Sequence, residues 1–127
     1  MIGTVRWQLN SGGWNGIIPV SNVREENIME KQCQVAILID GDNVSAKYAG
    51  FIKQEASSYG NIKFFRLYGS ISSPTVKAWY SVMPTQGINP VLQISYANGK
   101  SIADQALTIE AMDLLYSGEI DVFCIVS

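Results

Sequence analysis

The sequence contains no histidine. That excludes Ser-His-Asp triads, histidine general bases and histidine-rich zinc sites. Any acid–base or metal chemistry must therefore use carboxylates. Only two cysteines are present, Cys33 and Cys124, each in or beside an apolar, strand-like run. They read as reduced core residues of a cytosolic protein, not as a disulfide framework. No apolar run approaches the roughly 20 residues that span a bilayer, and the opening MIGTVRWQLN lacks the apolar block of a signal peptide. A cytoplasmic location without membrane contact is expected. Lys and Arg form no runs, and the formal net charge is −2. The chain thus lacks the basic face of a protein that grips long DNA through many phosphates. A nuclease is not excluded, because a cleavage site that holds metal ions is often acidic. Hydrophobic residues at 47% against charged residues at 16% exclude a disordered chain. A length of 127 residues suffices for one domain with a real core and leaves none over for a second.

Two regions differ in pattern. Residues 1–30 carry Trp7, Trp14 and loose glycines without a sustained period, and read as an irregular N-terminal extension. Met29 is a candidate true start: Arg24, Glu25 and Glu26 are compatible with a purine-rich ribosome-binding site read through as protein, and an ordinary extension is the alternative. Residues 31–127 form the domain. A wholly apolar strand is expected over 35–39. A helix over 44–59 comes next, on the spacing of Val44, Tyr48, Phe51, Ile52, Ala56 and Tyr59, and Gly60 ends it. IKFFRLY gives a strand over 62–68. Ser73 and Pro74 open a second helix with Val76, Trp79, Tyr80 and Met83 on its inner face. A strand over 90–96, a helix over 103–116 and a strand over 120–126 complete the chain. The βαβαβαβ order predicts an α/β, three-layer αβα fold with a parallel sheet of about four strands and helices on both faces.

Ligands of such sheets gather at the C-terminal ends of the strands, and VAILIDGDNV puts Asp40, Gly41, Asp42 and Asn43 there. Asp, Gly and Asn are also ordinary turn formers, and Asn43 is a candidate N-cap. Asp40, however, abuts five apolar residues, where a carboxylate is partly desolvated and needs a stabilising partner. Asp104, in GKSIADQALTIEAMDLL, falls in the first turn of the third helix. There it favours the helix dipole, and it also lies where the third strand delivers the chain to the same rim as Asp40. Two carboxylates converging at that rim repel unless a divalent cation sits between them. Oxygen ligands without His or Cys suit Mg²⁺ or Mn²⁺. Such an ion polarises a phosphodiester and lowers the pKa of an attacking water. Lys100 reads either as a phosphate contact or as an exposed loop lysine. Glu110 and Asp113 are expected on a solvated helix face, and Trp79 and Tyr80 in the core.

DGDNV fits the Asp-x-Asp-x-Thr/Val signature of haloacid-dehalogenase-type phosphatases, in which the first Asp is the nucleophile. Those enzymes place a flap before the first helix, and there is no room for one here. A longer resemblance runs through VAILIDGDNV, FRLYGS, GINPVLQ and GKSIADQALTIEAMDLLYSGEIDVFCIVS. Together these stretches resemble the NYN domain of the PIN-like nuclease superfamily, in the branch associated with LOTUS-type RNA-binding modules. The resemblance implies a PIN-like fold and Mg²⁺-dependent hydrolysis of RNA. It carries Asp40 and Asn43 over as the acid and amide of the first-strand motif and Asp104 as the acid opening the helix after the third strand. Asp42 falls at a variable position and, with Lys100, is at most a substrate contact. The family pattern continues into a Ser-Asp-x-Asp-Phe-like segment with further acids, and this sequence ends at Ser127, where that segment begins. On that reading the chain is a C-terminally incomplete, weakly active or inactive fragment that exposes apolar sheet surface, and the full-length protein carries an RNA-binding module. A non-catalytic RNA- or protein-binding module of the same fold is the rival.

Overall fold

The computed structural model of the chain describes residues 3–10, 13–17, 33–94 and 102–127, with the side chains of 33–94 and 105–127. Six strands are formed: β1 (Gly3–Asn10), β2 (Gly13–Ile17), β3 (Gln34–Asp40), β4 (Asn61–Ser70), β5 (Asn89–Gln93) and β6 (Val122–Val126). They make one sheet in the order β2-β1-β6-β3-β4-β5. As the sequence pattern predicts, β6, β3, β4 and β5 are mutually parallel.

The helices cover both faces. A 3₁₀ turn (Ala46–Tyr48) leads into α1 (Ala49–Ser57). Two single turns, α2 (Pro74–Lys77) and α3 (Met83–Gln86), come next, and then the long α4 (Ile102–Ser117). Val35, Ile37 and Ile39 of β3 pack with Ile52 and Ala56 of α1, Val76 of α2, and Trp79 and Met83. Ala36 and Leu38 pack on the opposite face with Leu107 and Leu114 of α4. All five of these β3 residues are fully buried. This is why the strand is apolar at every position rather than at alternate ones.

Four local differences from the sequence reading have physical causes. Residues 1–30 are not irregular throughout, since β1 and β2 form an antiparallel hairpin and β1 runs parallel to β6, from Gly3 opposite Val122 to Trp7 opposite Val126. The expected 44–59 helix starts later, because the N–H groups of Asn43 and Val44 both donate to the Asp40 carbonyl and fold a turn first. The second helix is broken into two turns. Ser73 caps the first by accepting from the Val76 N–H, while Pro84, without an N–H, is tolerated only in an opening turn. Tyr80 is 42% exposed rather than in the core, whereas Trp79 is fully buried as expected.

The outer strands of the sheet are β2 and β5, and β5 carries Pro90. Beside α4, Ala111, Met112, Leu115, Phe123 and Ile125 line an open apolar groove of about 180 Å³. No helix among the described residues is long and apolar enough to cross a membrane.

Candidate functional site

The rim at the C-terminal ends of the parallel strands holds Asp40, the buried charged residue of the described chain, with 7% of its surface exposed. It is the last residue of β3 and lies opposite Tyr68 of β4. Two of the next three residues of the chain orient its carboxylate. One oxygen, Oδ1, accepts from the Asp42 N–H at 3.2 Å, and Oδ2 accepts from the Asn43 side-chain amide at 2.7 Å. Asn43 therefore does not cap a helix; Ser45 takes that role for the 3₁₀ turn. The amide of Asn43 holds Asp40, and its own residue is exposed at the mouth.

Three anchors fix the loop. The Gly41 N–H donates to the Tyr68 carbonyl at 2.6 Å. An added Cβ at Gly41 would stand 2.9 Å from Leu67 Cδ2 and 3.0 Å from the Tyr68 carbonyl oxygen, so a side chain there would push the loop off β4. Asp42 Oδ1 accepts from the Ser70 N–H at 3.0 Å. In a continuing parallel ladder that N–H would go to the next carbonyl of β3, and the Asp42 carboxylate takes its place as the backbone turns away. Finally, the buried indole of Trp79 donates Nε1–H to the Val44 carbonyl at 2.9 Å. Gly69 lets α2 close over this corner, since a Cβ there would run into Val76 Cγ2.

Of the sequence-derived candidates, the structure brings Asp40, Asp42 and Asn43 together, with Asp42 acting as a tie between β3 and β4. Asp104 lies in the first turn of α4, and its side chain is outside the described residues; Lys100 is outside them altogether. Asp113 is exposed, as expected. Glu110 is not on a solvated face, because it turns to the sheet and pairs with Arg66 Nη1 at 3.2 Å. Sequence reasoning missed Arg66, Ser70 and the polar role of Trp79. An Arg two positions before Tyr68 on a strand face covered by an apolar helix was the available signal for the first, since a guanidinium partly withdrawn from water calls for an acid.

The donor chemistry of the rim is oxygen throughout, which suits a hard divalent ion. Among the described residues no group of three His, Cys, Asp or Glu side chains is placed to hold a metal. The free cysteines lie elsewhere: Cys33 and Cys124 are both buried, and burial pushes the Cys124 thiol up to about 12.

A three-layer α/β domain with a buried acid at the C-terminal rim of a parallel sheet defines the class: a fold that binds its ligand where the strands end. The sequence model of the NYN domain matches residues 34–127, and the chain belongs to that family. Domains of this family are generally nucleases that act on RNA, and they usually use a divalent metal ion. No curated protein and no solved structure matched the chain.

Proposed function

We propose that this chain carries the site of a metal-dependent ribonuclease that hydrolyses RNA phosphodiester bonds. Asp40 and Asp104 would hold Mg²⁺ or Mn²⁺. When bound, such an ion supplies polarisation of the phosphodiester and a water of lowered pKa. The observation that carries the reading is Asp40: a carboxylate buried at the strand ends and aimed by the Asn43 amide, in a chain with no histidine. A buried acid is costly unless its charge is used or matched. Asn43 holds the carboxylate in one orientation, and Asp42 keeps the loop closed on β4.

The antiparallel course of α4 over the sheet supports Asp104 as the second ligand, because it brings the helix start to the rim rather than to the base. Two carboxylates are few for a nuclease metal site, so cleavage by this chain alone is expected to be slow, and metal binding is the sharper readout. Titration with Mn²⁺, monitored by electron paramagnetic resonance, tests the assignment. Binding in the micromolar to millimolar range that is lost in Asp40→Asn and weakened in Asp104→Asn supports it. The same affinity in all three chains refutes it, as does the absence of Mn²⁺ binding by the unaltered chain. A phosphatase would instead form an acyl-phosphate on Asp40; that reading has less support, since Asp42, the second acid of that signature, is committed to Ser70.

A further inference from the structure

We propose that Arg66, Glu110 and Tyr68 form a positioning cluster that fixes the axial register of α4 on the sheet, and thereby sets where its first turn meets the rim beside Asp40. The inference rests on the reading of that rim as the metal site. Most of what holds α4 down is apolar: Leu107, Ala106, Ala111, Leu114 and Leu115 pack on Ala36, Leu38 and Phe123. Such contacts are non-directional and do not specify which polar group of the sheet α4 meets. A directional contact from α4 to the sheet is the Arg66–Glu110 pair at 3.2 Å, with side chains 23% and 31% exposed. The guanidinium is also clamped from the other side, its Cζ 4.7 Å from the centre of the Phe64 ring.

Tyr68 floors the cluster on the sheet side. It is fully buried, and its hydroxyl has no hydrogen-bond partner among the described residues; the same is true of Glu110 Oε2. A buried donor and a buried acceptor are thus left in one layer. Burial pushes the Tyr68 phenol well above its ordinary range, and Glu110 adds to the effect. Displacing α4 separates Arg66 from Glu110 and leaves two half-buried charges without their partner.

The pair sits at the right height to matter. Arg66 is two residues below Tyr68, hence about 7 Å below the level of Asp40. Residue 104 is six residues, or about 9 Å, up the helix from Glu110. The two positions therefore reach a similar height above the base of the sheet. A slip of one helical turn, about 5.4 Å, would separate them. The base is held independently by Lys63–Glu119 at 3.2 Å and by the Gln34 N–H to Asp121 at 2.8 Å.

The test compares the full chain with the Arg66→Met/Glu110→Leu double variant, reading Mn²⁺ affinity, urea unfolding and hydrogen exchange of the α4 amides. Apolar replacement of a half-buried ion pair commonly leaves stability close to the parent's, so a merely structural role predicts no loss in any readout. The proposal predicts an unchanged or higher unfolding midpoint, Mn²⁺ affinity lowered roughly 10-fold, and faster exchange of the α4 amides that are hydrogen-bonded within the helix, from residue 106 onward. Mn²⁺ affinity and exchange both within twofold of the parent overturn it. If the double variant does not fold, Arg66→Lys serves: it keeps the charge but loses the planar fork. It should weaken Mn²⁺ binding by about threefold, and parental affinity overturns the proposal. Asp40→Asn separates the two readings. If it leaves Mn²⁺ binding intact, the metal-site assignment fails, whereas the exchange pattern of α4 still judges the cluster.

Discussion

Asp42 is the residue at which a structural and a chemical role separate most cleanly. Its carboxylate accepts the Ser70 N–H at 3.0 Å and replaces the carbonyl that β3 no longer offers. The Asp42→Ala substitution strands that N–H in a half-buried corner beside Gly69, where the Val76 side chain restricts water. A hydrogen bond to a charged acceptor contributes about 1.5–3 kcal/mol when well buried, and the partial exposure here brings the expected loss to about 1–2 kcal/mol. With a urea slope of about 1.5 kcal/mol/M, the unfolding midpoint should fall by roughly 1 M. Asp42→Asn keeps an acceptor in place and should cost about 0.5 kcal/mol, or a midpoint shift near 0.3 M. Mn²⁺ affinity should stay within about twofold in the Asn variant, because Asp40 and Asn43 are untouched. The reasoning is refuted if Asp42→Asn lowers Mn²⁺ affinity tenfold or more at an unchanged midpoint, for Asp42 would then be a ligand. It is refuted equally if Asp42→Ala unfolds at the parental urea concentration.

Three further sites give measurable expectations. Trp79→Phe removes the donor to the buried Val44 carbonyl and leaves a small void, so stability should fall by about 2–4 kcal/mol; a loss under about 0.5 kcal/mol in urea unfolding counts against the anchor. Gly69→Ala drives a Cβ into Val76 and should cost about 1–3 kcal/mol, whereas the exposed Gly50→Ala, with open space around it, should be neutral or stabilising by up to about 1 kcal/mol. Native thiol titration at pH 7.5 should leave Cys124 unmodified, and unfolding should expose it. The Cys124 thiol, ordinarily near 9, is raised to about 12 in the fold, so above pH 9 the unfolded chain releases a proton that the native chain retains. Stability should therefore decline as the pH rises from about 9 to about 12, and Cys124→Ala, though less stable at neutral pH, should decline less steeply.

The strand that positions Asp40 was legible because burial on both faces demands an unbroken apolar run, and few segments of a small domain satisfy that demand. The acid ending it was legible for the complementary reason, that a charge next to such a run requires a use. The hairpin at residues 3–17 was harder to read. Val5, Trp7 and Leu9 do alternate with Arg6, Gln8 and Asn10, but a single short alternation does not say which strand it will join, and the β1–β6 pairing spans more than a hundred residues of chain. Glu110 was misread because a charge on a helix is usually solvated, and only knowledge of which strand lies beneath α4 reveals Arg66 as its partner. The start of α1 was misplaced because hydrophobic spacing does not register that the Asp40 carbonyl takes two N–H groups from the turn after it.

The outer position of β5 has a consequence for how this molecule meets others. A free strand edge normally invites a second chain to extend the sheet, and proteins discourage this with brevity and proline. Five residues with Pro90 second among them offer a visiting strand little to grip. A strand-mimicking peptide should therefore find little purchase on β5, and any sheet extension by a visiting chain falls to the opposite outer strand, β2, which carries no proline.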